Sequence, residues 1–217
     1  MLFESAGQRL LLDCGPDLRQ QLLSADVGTV DGVLVTHDHA DHCHGIDDLR
    51  QLAANRGAPV PLYARPETLA GLAARFSYVF EGSEYYRPTV VPHQLGDELV
   101  WGQALLRFAE QPHGEITSLG IRADEGDRSL VYSIDFHALT PDMANLYQDS
   151  SLWICAVTPN KSHLTHASLE AVLVWARDLR IGQLLLTNLD KRMDYATLAR
   201  ELPDWAAPAF DGQELAL

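Results

Sequence analysis

The sequence predicts a layered α/β sandwich formed as one domain over residues 1–217. Two observations carry that expectation. Short apolar and β-branched runs of strand length alternate with segments whose apolar residues recur at helical spacing, from one end of the chain to the other. With 217 residues and 47% hydrophobic content the chain can bury one sizeable core, and no linker, internal repeat or low-complexity tract interrupts it.

Leu2-Phe3-Glu4 and Arg9-Leu10-Leu11-Leu12 flank Ala6-Gly7-Gln8 and read as an opening hairpin. Pro16-Asp17 starts a helix with Leu18, Leu22 and Leu23 on one face, because the fixed φ of proline suits a first turn. Residues 30–35 are apolar, β-branched and too few for a helix, which makes them a buried strand. Gly45, Ile46, Leu49, Leu52 and Ala53 return to helical spacing, giving a helix near 46–55. Residues 60–64 read as a strand, 67–76 as a helix and 82–88 as an exposed loop holding two tyrosines and an arginine. The second half continues the alternation. Strands are expected at 104–108, 117–122, 130–134, 152–157 and 183–187, and helices at 141–147, 168–180 and 195–202. Residues 210–217 close the chain with a turn at Asp211-Gly212.

Charge narrows the function classes. The formal net charge is −14, from 30 acidic residues against 16 Lys and Arg, and there is no basic block. A protein that grips long nucleic acid needs a basic track to displace counterions, so tight nucleic-acid binding is not expected. A small anionic substrate stays compatible, because bound divalent ions make a site locally positive whatever the overall charge. No apolar run reaches membrane-spanning length, and no charged-then-apolar signal segment opens the chain. Cys14, Cys43 and Cys155 show no paired or zinc-finger spacing, which favours free thiols and a cytoplasmic location.

The densest chemistry lies in Thr36-His37-Asp38-His39-Ala40-Asp41-His42, where His37, His39, Asp41 and His42 place four metal-capable side chains within six positions. The run follows a strand and precedes a helix, so it reads as a loop held by rigid elements on both sides. His37 and His39 alternate, while the adjacent Asp41 and His42 must aim differently; two neighbouring metals suit such a set better than one tetrahedral ion. Neutral imidazoles with carboxylate suit zinc, with manganese or iron as harder substitutes. The competing interpretation is a solvated His-rich turn.

This run resembles the H-x-H-x-D-H signature of the metallo-β-lactamase superfamily, which implies a four-layer αββα sandwich with a dinuclear site. The longer string His37-Asp38-His39-Ala40-Asp41-His42-Cys43-His44-Gly45-Ile46-Asp47-Asp48-Leu49-Arg50 is similar to the ribonuclease Z-like branch that includes the carbon–phosphorus lyase accessory phosphodiesterase, which opens phosphoribosyl 1,2-cyclic phosphate. The resemblance also implies a glycine-rich first strand and a cysteine-containing segment ahead of Leu2. Neither is present, so the chain is truncated, starts late or lacks an edge of its first sheet.

The resemblance assigns further residues. His113 matches the third histidine of the first metal, Asp135 the aspartate that bridges both metals, and Asp13 an aspartate that orients a ligand histidine by hydrogen bonding. His166 matches a residue facing the substrate as proton donor or phosphate-binding group, with His163 supporting it. The last ligand departs from the pattern: Leu186-Thr187-Asn188-Leu189-Asp190 stands where many relatives have Leu-Thr-His. The amide of Asn188 is a weaker ligand than imidazole, and Asp190 can supply a carboxylate if the loop turns back. Asp194 reads as a helix cap.

Two divalent ions, zinc or manganese, about 3.5–4 Å apart can share a water and present hydroxide at neutral pH. Asp41 and Asp135 would hold that hydroxide and His166 would protonate the departing alkoxide. No Ser/His/Asp set competes, Ser162 being an isolated serine beside His163. The expectation is a dinuclear metallohydrolase of a small sugar phosphodiester, cyclic ones included. Hydrolysis of a thioester, a lactone or an RNA 3′ end on the same fold, and a weakened or non-catalytic metal-binding relative, are the alternatives. Homodimer formation stays open.

Overall fold

The computed structural model describes residues 1–159 and 163–216, so Ser162 and the final Leu217 lie outside the described residues. The chain falls into two compact units, Met1–Gln103 and Ala104–Leu217. Each builds a mixed sheet flanked by helices, the architecture expected of this fold class.

In the first unit β1 (Leu2–Ser5) and β2 (Gln8–Leu12) form the expected hairpin. Its turn uses Ala6 and Gly7, both at positive φ, as a tight two-residue turn between right-twisted strands requires. β3 (Gly32–Leu34), β4 (Val60–Ala64) and β5 (Val90–Gln94) follow in the order β1-β2-β3-β4-β5, with every pair after the hairpin parallel. Parallel neighbours need crossovers, and helices supply them. These are α1 (Leu18–Ser24), the short α2 (Ala40–Cys43), a 3-10 turn (Ile46–Asp48) leading into α3 (Leu49–Arg56), α4 (Pro66–Arg75) and α5 (Ser77–Glu81). Leu18, Ile46, Leu49, Leu52, Leu72 and Val79 from these helices pack on Leu11, Val33, Val60 and Leu62 of the sheet. Strand β6 (Glu98–Trp101) ends the unit, and the Trp101 indole donates to the Gln8 carbonyl at 3.2 Å.

In the second unit the strands run in the order β12-β11-β10-β9-β8-β7. They are β7 (Ala104–His113), β8 (Ile116–Glu125), β9 (Arg128–Ser133), β10 (Leu152–Ala156), β11 (Gln183–Thr187) and β12 (Ala206–Pro208). The first three pair antiparallel and the rest parallel. Crossover helices α6 (Pro141–Tyr147), α7 (Leu169–Asp178) and α8 (Tyr195–Glu201) start on side-chain caps, with Thr140, Ser168 and Asp194 each accepting an N–H of the first turn. Met143, Tyr147, Val172 and Ala176 of these helices join Val131, Trp153, Cys155, Leu184 and Leu186 in one core.

Several elements differ from the sequence expectation. The metal motif is not wholly a loop, because Asp41 and His42 sit on α2. β7 runs on to His113 instead of ending near Phe108. α5, β5 and β6 were not expected: α5 has five residues, and β5 is exposed after its first residue and contains Pro92, so neither displays a periodic apolar face. The turn at Asp211-Gly212 is present, and the last strand precedes it.

Candidate metal centre

The first unit contributes half of the donor set, built around Asp13. This residue follows β2 at φ +58°, a conformation that aspartate tolerates better than most side chains. Its Oδ1 accepts the Thr36 N–H at 2.8 Å and its Oδ2 the Thr36 hydroxyl at 3.1 Å, which fixes the end of the β3 segment. The same Oδ2 lies 3.0 Å from His42 Nδ1. Asp13 therefore sets the ring of His42 and directs Nε2 away from itself. That Nε2 lies 3.3 Å from Asp41 Oδ2, and the contact holds the Asp41 carboxyl well below the usual carboxylate range. His37 Nδ1 meets the Thr36 hydroxyl at 3.1 Å, so a protein oxygen orients this ring too. The three imidazoles are gathered, with the His37 ring centroid 4.7 Å from His39 and 4.3 Å from His42.

Backbone packing locks α2 in place. The Cys14 N–H donates to the His42 carbonyl and the Gly45 N–H to the Cys14 carbonyl, both at 2.8 Å. A Cβ at Gly15 would run into the Asp41 carbonyl, and one at Gly45 into the Gly15 carbonyl. Only glycine allows this approach.

The second unit contributes His113, Asp135, His166 and Asn188. His113 ends β7, buried, with Nδ1 at 2.8 Å from the Thr165 carbonyl. A carbonyl only accepts, so Nδ1 donates to it and Nε2 is directed to the opposite side of the ring. Asp135, buried just beyond β9, has φ +50°, and Asn188, just beyond β11, has φ +47°. Asp135 Oδ2 lies 3.5 Å from His113 Nε2 and Oδ1 lies 3.6 Å from His166 Nδ1. The Asn188 amide donates to Asp135 Oδ1 at 3.2 Å. His163 is exposed, its Nδ1 accepting the Thr165 N–H at 3.3 Å and its ring 5.0 Å from His166.

Asp190 is directed elsewhere. Its carboxylate accepts Arg192 Nε at 2.8 Å, Nη2 at 2.7 Å and the Arg192 backbone N–H at 2.9 Å. Arg192 holds the Asp190 carboxyl well below the usual range. The loop thus places the Asn188 amide, and not the Asp190 carboxylate, on Asp135. Asp194 caps α8 by accepting the Thr197 N–H at 2.8 Å, as its position implied.

A buried polar network beneath Asp135 was missed by sequence reasoning. The Ser118 hydroxyl donates to the Asp135 carbonyl at 2.7 Å and accepts Gln111 Nε2 at 3.0 Å. Gln111 Oε1 in turn accepts Ser133 at 2.6 Å and Tyr147 at 3.0 Å. A glutamine inside a strand was the single visible signal.

The described residues that offer clustered metal-ligand atoms are His37, His39, Asp41 and His42 in the first unit and His113 and Asp135 in the second; Asp190 is not among them. The donors fit divalent zinc or manganese. His37, His42 and His113 each have Nδ1 at a protein oxygen, the arrangement that aims Nε2 at a metal and raises its basicity. Imidazole and carboxylate, the donor types that both units offer, are those that zinc and manganese accept.

A family model described as a beta-lactamase superfamily domain matches residues 8–187. The chain belongs to the beta-lactamase superfamily. Within it the chain is related to ribonuclease Z proteins and to a diphosphatase of the PhnP family. The crystal structure of a diphosphatase from the PhnP family aligns with a TM-score of 0.88 at 28% identity, covering 99% of this chain and 81% of that one. Human tRNase Z, short form, shares the fold, with a TM-score of 0.76 at 17% identity over 98% of this chain and 89% of that one. An octanoyltransferase from Porphyromonas gingivalis is 28% identical over 229 residues, 99% of this chain but 43% of that protein. The chain thus spans less than half the length of that relative. Among the described residues no helix is long and apolar enough to cross a membrane.

Proposed function

We propose that the chain hydrolyses a small phosphodiester, with a cyclic sugar phosphate as the preferred class. The observation that carries this reading is the likeness to a diphosphatase of the PhnP family along 99% of the chain, joined to a donor set of imidazoles and carboxylates. His37, His39, Asp41 and His42 of the first unit and His113 and Asp135 of the second are the residues that would hold divalent ions. When bound, such ions lower the pKa of a water and offset the charge that grows on phosphoryl oxygens.

The chain's own groups do the rest. Asp13, Thr36 and the Thr165 carbonyl fix the rotation of three imidazoles. The Asp41 carboxylate would accept a hydrogen bond from the attacking water. The Asn188 amide holds one oxygen of Asp135 and so fixes the rotation of that carboxylate. His166, partly exposed and adjacent to Asp135, would pass a proton to the departing alkoxide or bind a phosphoryl oxygen. His163 supports the same loop. Acidic composition favours a small substrate over tight nucleic-acid binding, and buried free thiols at Cys14, Cys43 and Cys155 suit a cytoplasmic protein.

A second reading, cleavage of a bond to an acyl group, is favoured by the similarity to an octanoyltransferase over nearly the whole chain. A metal-by-substrate panel separates the two. Bis-aryl phosphate, cyclic ribose phosphate, an acyl thioester and a β-lactam would each be assayed with zinc and with manganese. Turnover of the two phosphodiesters is expected to exceed that of the others. Thioester turnover without phosphodiester turnover would install the second reading, and a protein that retains no metal would remove both.

A further inference from the structure

The first unit holds a cavity of about 880 Å³ between α1, α3, Tyr78 of α5 and the Tyr86-Arg87 loop, and none of the metal-donor residues lines it. That volume is typical of small-molecule sites, which span roughly 300–1,000 Å³. Arg19, Arg50 and Arg87 all face it. Such a concentration is unexpected in a chain with 30 acidic residues and 16 Lys and Arg. Several other arginines are committed to carboxylates, as in Arg9–Glu4, Arg75–Asp38, Arg107–Asp124 and Arg180–Asp149. Among the described residues, Arg19 and Arg87 make neither an ion pair nor a side-chain hydrogen bond. Arg50 lies over the ring of Tyr86, 5.5 Å from its centroid, which leaves the edge of the guanidinium for an anion.

The remaining walls restrict what that anion carries. Tyr86 is 54% exposed and presents a ring at the cavity, beside the apolar side chains of Leu22 and Leu52. Asp47 is occupied, since the Tyr78 hydroxyl lies 2.7 and 2.8 Å from its two oxygens. Asp48 has no such partner among the described residues and would repel a polyanion while accepting hydroxyl donors. A ligand with one phosphate for the arginines, a flat ring for Tyr86 and a diol for Asp48 satisfies every wall.

We propose that this cavity is a second ligand site, separate from the metal-donor residues, that takes a nucleoside monophosphate. The proposal goes beyond the hydrolase reading and does not depend on it.

Isothermal titration of the metal-loaded protein with adenosine 5′-monophosphate, ribose 5-phosphate, inorganic phosphate and adenosine tests it. Saturable binding of the nucleotide is expected. Arg19→Ala and Arg87→Ala should each weaken it about tenfold or more, the loss expected for one charge-assisted bidentate contact. Tyr86→Ala should weaken the nucleotide and leave ribose 5-phosphate unchanged. Metal content should stay at the wild-type value in all three variants, which places the loss outside the metal centre. Nucleotide affinity unaltered by both arginine substitutions would overturn the proposal, as would inorganic phosphate binding as well as the nucleotide or no saturation by any of the four. The titration reads binding, so absence of phosphodiesterase turnover would sink the hydrolase reading and leave this one standing.

Discussion

Arg75 grips Asp38 twice: its Nη2 lies 2.8 Å from the carboxylate Oδ2 and 2.6 Å from the main-chain carbonyl. Asp38 separates His37 from His39, so this contact anchors the motif backbone between two candidate ligands. The carboxylate rests over Gly71 of α4, where a Cβ would run into Oδ2. Gly71→Ala should push the loop outward and Arg75→Ala should release it. Each is expected to lower metal affinity about tenfold, in line with the loss of an outer partner of a metal ligand. Chelator competition would measure it, and unchanged affinity in both variants would show that α4 does not position the loop.

Asp13→Asn is the cleaner probe of the His42 orientation, because asparagine also tolerates the left-handed backbone at this position. It keeps the backbone and alters the partner of His42 Nδ1. Metal affinity is expected to fall roughly 10–100-fold. Asp13→Ala should add a folding defect, visible as a lower Tm in chelator, since alanine is strained at positive φ.

At the end of β11, Asn188→Gly retains the backbone freedom and removes the donor to Asp135. Metal content at limiting zinc should drop. Asp190→Ala should leave metal content at the wild-type value, because that carboxylate is held by Arg192. Loss of one equivalent of metal in Asp190→Ala would restore this residue as a ligand.

Tyr147→Phe tests the network under Asp135. It leaves Gln111 Oε1 with Ser133 alone inside a buried region and should destabilise the protein by about 1–2 kcal/mol in urea unfolding. Gly120→Ala should be worse, since a Cβ there would collide with the Tyr147 hydroxyl.

Alkaline titration provides a fourth kind of test. The hydrogen bond that Tyr78 donates to Asp47, followed by burial and the Asp47 charge, pushes the Tyr78 pKa up from 10.0 to about 12. A raised folded-state pKa means that the contribution is complete below the unfolded value and lost as pH climbs through the folded one. Stability from this contact should thus persist to about pH 10 and fade towards pH 12. Tyr78→Phe should flatten that part of the stability profile, and an identical alkaline limb in the variant would show that the bond carries no weight. Tyr78 is 47% exposed, so the effect should be small.

The sequence by itself determined the fold class, most strand and helix positions and the donor types, because each is written in local patterns. Periodicity reports burial on one face, and the His37–His42 run packs its donors within one connection. Elements with too few residues to show a period escaped, as α2 and α5 did. So did β5, whose exposed residues and Pro92 carry no alternation.

Only the tertiary structure decided how the donors are held. Asp13 reaches His42 across 29 residues and Thr165 reaches His113 across 52, and no local pattern encodes which polar group will meet which ring. The partners of Asn188 and Asp190 belong to the same class. Both residue types were visible, but Arg192 took the carboxylate and a left-handed backbone turned the amide onto Asp135. Buried polar groups must find partners wherever the fold brings them, and those partners are set by packing.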